Sequence, residues 1–592
     1  MRLLVPILFF CCPVHAQERA AVVPLGDLGL VDASLHGESP ASIWDSETAS
    51  DAAGAVLGEL GKWMSGAHKG PAADPATHCV AGLSFSPLRP PDLKEVALRQ
   101  FRVRRSAGSE LISKGLEPFA EALATALPEA ATSPGAWIKF KITGIETGAR
   151  EWRTRAICQG AVHSATGHLQ MESTWDCTWQ PRGTEPPLLT SVKVTGYEET
   201  HLQSSAPAFA DCTQSMLAGV PAWREQLCHD TDYWSERIEQ KFFTDSSGWQ
   251  GVSLGDVNGD GLDDLYLPQS GGLPNLLLLH QPDGTLRDFT AESGTGWWDH
   301  SNAAIFADFD EDGDQDLAIG LLFGVVFMQN DGKGHFAVSA SVLTPEAQPY
   351  SLAAADYDND GDLDLYAACY SPRAVQVANR FLARPLPYQD AENGGRNVLL
   401  RNDRTWKFKN VTKAVGMDAN NHRFSLACAW EDFDNDGDQD LHVANDFGRD
   451  NFYLNEGPDA DGHWHFRDAA KELGVDDIGA GMSVSWGDVD QDGFMDLQVS
   501  NMWSSAGHRV TSQARFQPEA GAGLRADFQH HARGNSLFHN NAGKGFTDIS
   551  AAAGISLGRW AWGSVFLDIN NDSWQDIYVA NGYFTRPDPG DL

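Results

Sequence analysis

The sequence is short of long hydrophobic runs, of cysteine and of positive charge. Past residue 10 no apolar stretch is long enough to cross a membrane as a helix, so no transmembrane segment is expected. Cysteine numbers 9 in 592 residues, with no CxxC pair and no zinc-type Cys/His spacing. Lys and Arg total 43 against 81 Asp and Glu, a formal charge of −38. So acidic a chain does not suit a phosphate backbone, and no nucleic-acid partner is expected. No nucleophile elbow is read in the chain and no HExxH occurs. His422 and His442 stand apart from any partner motif.

What the chain has in excess is aspartate at fixed spacing. Six nine-residue segments carry Asp at position 1, Asp or Asn at 3, Asp at 5 and Asp at 9. They start at Asp256, Asp308, Asp356, Asp432, Asp488 and Asp568. No apolar core requires that spacing. A hard divalent cation does: Ca²⁺ takes roughly six to eight oxygens, and a tight loop offers side chains at 1, 3 and 5, the carbonyl at 7 and a carboxylate at 9. The expected ligands of loops 1 to 3 are Asp256, Asn258, Asp260, Leu262 and Asp264; Asp308, Asp310, Asp312, Asp314 and Asp316; and Asp356, Asp358, Asp360, Asp362 and Asp364. Those of loops 4 to 6 are Asp432, Asp434, Asp436, Asp438 and Asp440; Asp488, Asp490, Asp492, Phe494 and Asp496; and Asp568, Asn570, Asp572, Trp574 and Asp576. Position 7 acts through its carbonyl. Position 6 is Gly in five loops, as a sharp bend favours. Loop 6 has Ser573 there and is expected to be the most strained.

These loops are not EF-hands. Position 12 is apolar in all six, where an EF-hand needs a bidentate Glu. Apolar residues at 10 and 12 follow period two, so each loop runs into a strand, and strand-like stretches also precede it. Each loop therefore joins two strands of a hairpin. An Asn-led strand follows (NLLLLH from Asn275, NVLLRN from Asn397, NFYLN from Asn451, NSLFHN from Asn535). A Phe-led strand comes next (Phe289, Phe408, Phe466, Phe546). Four strands per repeat of about fifty residues describe a propeller blade. The expected fold is mostly β: a β-propeller of six motif-bearing blades, with seven possible, preceded by a small α+β domain. Blade 6 lacks its outer strands, and FFTDSSG from Phe242 is expected to close the ring against it. Trp430, Trp486 and Trp562 are expected in the packing between strands.

Residues 1–16 read as a signal peptide, with Arg2, an apolar run from Leu3 to Phe10 and Val14-His15-Ala16 before Gln17. A secreted or extracytoplasmic location, in the periplasm or at the cell surface, follows. Export permits disulfides, and Cys212 with Cys228 is the nearest pair, while Cys428 is expected as a buried free thiol. The expected domains are 17–90, a low-periodicity segment; 91–200, the α+β domain; 201–234, a helical linker; and 235–592, the propeller. Within the α+β domain, residues 92–127 read as helical and 136–199 as four strands, the middle two joined at Ser164–Gly167.

Two insertions interrupt the repeat, each after the second strand of a blade. The first carries Arg373, Arg380 and Arg384; the second carries Arg509, Arg515, Arg525 and Arg533. In so acidic a chain these locally basic loops are the candidate ligand site, for a protein or an anionic glycan. The competing reading pairs these arginines with acidic blade edges.

The Asp-rich loop inside a strand–loop–strand repeat resembles the FG-GAP/VCBS repeats of integrin α-subunit propellers. The NxLxxN and Phe-led signatures resemble more closely the bacterial relatives of cartilage acidic protein. The resemblance covers about residues 235–592. It implies one Ca²⁺ per repeat on a β-propeller, commonly seven-bladed, and an extracellular adhesion or interaction role. The alternative is an exported polysaccharide-active lyase or hydrolase built on the same scaffold, since related repeats also occur in carbohydrate enzymes.

Overall fold

The computed structural model describes residues 41–67, 74–98, 101–130, 133, 135–164, 167–202, 204, 209–239, 251–345, 347–372 and 385–582. Residues 1–16, the Phe242 segment and Arg373, Arg380 and Arg384 lie outside the described residues. Two compact units emerge: Val14–Ala210 with Ser505–Gly521, and Asp211–Ser504 with Ala522–Leu592.

The first unit is an eight-stranded sheet. Its four long strands, Trp137–Thr147, Trp152–Ser164, Gly167–Arg182 and Glu185–Leu202, pair antiparallel in sequence order. Along Gly167–Arg182 buried and open positions alternate, as a one-faced sheet requires. The helices Ala41–Met64 and Leu116–Ala126 pack on it, joining Leu57, Leu60, Phe119 and Leu123 to Trp175, Trp179 and Val192 in one core. The helical reading of 92–127 holds only for its second half. Lys94–Leu98 and Phe101–Ser106 form a hairpin. The reason is cross-strand pairing: Arg104 and Arg105 stand opposite Glu199 and Glu198 on the neighbouring strand.

The second unit is a succession of antiparallel sheets. Blade 1 comprises Ser253–Gly255, Asp264–Leu267, Leu276–His280 and Leu286–Asp288. Blades 2 to 5 repeat the four-stranded order from Ser301–Ala307, Ala347–Ala355, Ser425–Glu431 and Gly481–Gly487. Blade 6 has two described strands, Ala561–Leu567 and Asp576–Asn581. First strands of successive blades pack against one another in chain order. Period two gives each blade two apolar faces. Tyr266, Leu277 and Leu279 of blade 1 pack with Phe306 and Leu317 of blade 2. The other face, Leu265, Leu267, Leu276 and Leu278, is covered by Leu217 and Val220 of the helical segment 213–227. That segment is part of the second unit's core.

Trp430 and Trp486 sit between blades, each indole donating to a first-strand carbonyl of the preceding blade, Ala353 and Ala429. None of the seven cysteines of the described chain is in a disulfide; Cys428 is buried, and Cys212 and Cys228 are not joined to each other. The letters of Gly251–Gly255 (GVSLG) fit GxSxG, but Ser253 lies in the first strand of blade 1 and its hydroxyl donates to the Ala304 carbonyl. An Asp-rich loop follows it, not the helix that an elbow needs.

Candidate metal centres

Each Asp-rich loop joins the first and second strands of its blade. The residue before position 1 pairs with position 9, as in Ala307↔Asp316, Ala355↔Asp364 and Glu431↔Asp440. The backbone reverses through left-handed conformations at position 6, with φ of 84° at Gly261, 95° at Gly313 and 96° at Gly437, and 73° at Ser573. Position 4 is left-handed too, including Glu311, Asn359 and Gln491. The sequence reading missed position 4, for which Asn in three loops was the available sign.

Within the loop the carboxylates are held by backbone N–H groups. Asp308 accepts from Asp312 N and Gly313 N at 3.2 and 3.0 Å. Asp312 accepts from Asp314 N at 3.2 Å. Asp316 at position 9 spans two elements: it accepts from Phe309 N at 2.9 Å and from Asn330 N of the third strand at 2.9 Å. Loops 1, 3, 4 and 5 repeat this position-9 bond to the third strand at Asp264, Asp364, Asp440 and Asp496. These contacts aim the carboxylates inward without neutralising them.

The remaining oxygens have the pattern of a site built for a cation. Asp310 Oδ1, Asp358 Oδ1 and Asp434 Oδ1 occupy position 3 of loops 2, 3 and 4. All three are buried without a hydrogen-bond partner. An orphaned carboxylate oxygen recurring at one motif position is costly unless something positive meets it. Burial, with repulsion from neighbouring aspartates, pushes Asp264 and Asp316 up to about 7 and Asp364 and Asp440 up to about 8. The groups Asp308–Asp310–Asp316, Asp356–Asp358–Asp360 and Asp432–Asp434–Asp440 each bring ligand atoms within 4.8 Å of one another. The donors are hard oxygens, a set that suits Ca²⁺, Mg²⁺ or Mn²⁺.

Neighbouring loops are tied together on one face. Asn359 of loop 3 donates to Asp438 of loop 4 at 2.9 Å, Asn435 to Gly493 O of loop 5 at 3.1 Å, and Gln491 to Ser573 O of loop 6 at 2.5 Å. Behind them the terminal Asn of the third strand bridges blades. Asn330, Asn402, Asn455 and Asn540 each donate to the position-2 carbonyl of the preceding blade, on Val257, Phe309, Tyr357 and Phe433. Each also donates to its own loop at position 8.

Two further clusters went unread in the sequence. Asp459, Asp461 and His463 meet on an exposed turn of blade 4, and His539 joins Asp490 and Asp496 at loop 5. An open cleft of about 760 Å³ beside blade 1 is lined by Trp234, Trp298, Glu225, Asp288 and Glu292.

The insertions leave their blades at the end opposite the loops, because the second strand runs away from its loop. Arg509 belongs to the first unit, where it pairs with Glu47 at 2.7 Å and donates to Ile142 O. Arg515 donates to Gln513, and Arg533 pairs with Asp548 at 2.6 Å. Arg525 lies half-buried on the helix Ala522–His531. His530, on the same helix, pairs with the buried Asp477. His442 is fully buried, and burial lowers it to about 4.

A family model described as an FG-GAP-like repeat matches residues 256–319, 324–367 and 432–499. Cartilage acidic protein 1 of Xenopus tropicalis is 28% identical over 126 residues, and its human counterpart 30% identical over 126 residues. Each match covers 20% of this chain, and the chain spans only 19% of the length of these relatives. Among solved structures, a lectin of Agrocybe aegerita described as recognising non-reducing terminal N-acetylglucosamine is similar at 15% identity and a TM-score of 0.32, over 55% of this chain and 73% of that one.

Proposed function

We propose that this chain, which carries FG-GAP-like repeats, is an exported interaction module whose propeller-type blades are stabilised by Ca²⁺ and present a surface to a protein or glycan partner. The observation that carries the reading is the orphaned position-3 oxygen, repeated in loops 2, 3 and 4. Asp at 1, 5 and 9 and Asp or Asn at 3, with the position-7 carbonyl, would hold one ion per loop, up to six in all. The ion supplies charge neutralisation and fixes the loop. The chain's own residues orient the carboxylates, link each loop to the next and lock the third strand to the loop.

The candidate contacts for an anionic glycan or acidic protein patch are Arg525, on the helix Ala522–His531, and, from the sequence alone, the first-insertion arginines Arg373, Arg380 and Arg384. Arg515 remains a lesser candidate. Arg509 and Arg533 already spend their charge on Glu47 and Asp548. The test is equilibrium dialysis of the mature protein against ⁴⁵Ca²⁺, followed by retention on sulfated, uronic and neutral glycan columns with and without chelator. Several Ca²⁺ bound per chain, and chelator-sensitive retention on an anionic column, are expected. No bound Ca²⁺ would overturn the reading.

A further inference from the structure

We propose that loop 5 takes a transition-metal dication, with His539 Nδ1 as a nitrogen ligand beside Asp490 and Asp496. The inference rests on reading the loops as cation sites and concerns which cation one of them prefers.

The third strand of each blade passes beside its loop, and the residue before the strand-terminal Asn (His280 in blade 1) differs in kind from blade to blade. It is Leu279 in blade 1 and Leu454 in blade 4, which offer no donor. In blade 2 it is Gln329, whose amide donates to Asp310 Oδ2 at 2.5 Å. In blade 3 it is Arg401, whose charge acts on Asp358. In blade 5 it is His539. Position by position the strand adds an apolar wall, a neutral donor, a fixed cation or an imidazole to an otherwise repeated carboxylate loop.

His539 Nδ1 lies 3.1 Å from Asp496 Oδ1 and 3.8 Å from Asp490 Oδ2. The three ligand atoms fall within 4.8 Å of one another. Two cis ligands about 2.1 Å from one octahedral ion stand about 3.0 Å apart, so the His539–Asp496 separation fits a shared ion. Asp496 is firmly placed: its side chain is 1% exposed and both its oxygens are held by backbone N–H groups, of Asn540 and Val489. The imidazole arrives on a strand, outside the acidic loop. Loop 5 also differs from its neighbours in access: Asp490 at position 3 is open to solvent within 3.8 Å of the imidazole, whereas its counterparts in loops 2, 3 and 4 bury a partnerless oxygen.

Imidazole nitrogen is a poor ligand for Ca²⁺, which takes oxygens, and a good one for Zn²⁺, Co²⁺ and Ni²⁺. A mixed nitrogen–carboxylate set therefore shifts preference toward the transition series in this loop alone. The hydrogen bond from His539 to Asp496 is what the ion would replace.

The test uses Zn²⁺ as the probe, titrated calorimetrically into the full chain in millimolar Ca²⁺. The exposed Asp459–Asp461–His463 turn is a competing site, so His463→Ala is the background. The variant is His539→Leu, a residue that the same strand position already tolerates in blades 1 and 4. One Zn²⁺ per chain is expected with His539 and at least tenfold weaker binding with Leu, while Ca²⁺ stoichiometry and the melting temperature in Ca²⁺ stay the same. Co²⁺ should show an imidazole-dependent absorption change that the variant loses. No Zn²⁺ uptake, or equal uptake by both proteins, overturns the inference. Failure of Ca²⁺ binding in a Zn²⁺-free titration would instead overturn the loop reading, and a His539-dependent Zn²⁺ site would stand apart from it.

Discussion

At position 6 of the loops, one atom decides backbone strain. Gly437 sits at φ 96°, and a Cβ built there would meet nothing within 4 Å. Gly437→Ala therefore tests conformation without steric clash, and a loss of about 1–2 kcal/mol in chemical denaturation is expected. Ser573 holds the same position at φ 73°. Ser573→Gly should raise stability by about 0.5–1 kcal/mol, the relief being partly offset by glycine's greater freedom in the unfolded chain. A second residue-scale case is Glu199, whose side chain is 0% exposed. Burial would raise its pKa, but Arg89, Tyr197 and His201 outweigh that and bring it down to about 2. A folded pKa below the unfolded one stabilises above the unfolded value and loses that contribution as pH falls through about 4 toward 2. Glu199→Gln should flatten this acid limb and cost about 2–3 kcal/mol at neutral pH, read from denaturant melts at stepped pH. The glycines were legible because a φ near 90° strongly favours the residue without a Cβ. Glu199 was not, since nothing in KVTGYEETH says which of its acids turns inward.

At the scale of elements, the Asn that ends the third strand does more than mark a repeat. Asn455 donates to Tyr357 O at 3.0 Å and Gln439 O at 3.3 Å, and accepts from Gly457 N. Replacing it leaves two buried carbonyls unpaired on two blades. Asn455→Ala should cost about 2–3 kcal/mol, and Asn455→Asp more, because a buried carboxylate would face carbonyls. Thermal melts with saturating Ca²⁺ check this; a loss under about 0.5 kcal/mol would mean that the bridge is replaceable by water. The four-strand blade was readable from period two and from loop spacing. The bridge was not, because its acceptors lie 73 to 107 residues earlier in the chain. The same limit explains the hairpin missed at 94–106, whose arginines alternate against a strand about a hundred residues later. It also explains the helical segment 213–227, which reads as a linker until the bare leucine face of blade 1 is seen beneath it.

For the whole molecule, the two units should answer a chelator differently. All six loops belong to the unit of Asp211–Ser504 and Ala522–Leu592, while the first unit is held by one apolar core and a buried ion-pair network. Calorimetry of the mature protein should therefore resolve a transition that moves with Ca²⁺ and one that does not. Each site contributes about RT ln(1 + [Ca²⁺]/Kd), roughly 2.7 kcal/mol at a hundredfold excess over Kd. Loops 3 to 6 are hydrogen-bonded neighbour to neighbour, so loss of one ion loosens the next loop's anchor. Uptake should then be cooperative across these loops, and the Ca²⁺-dependent transition should sharpen as it rises. Two transitions falling together in chelator would show that the first unit's stability depends on the second. Neither moving would mean that the carboxylates are satisfied by protons at working pH, and the partnerless oxygens of loops 2 to 4 would then have to be explained by ordered water.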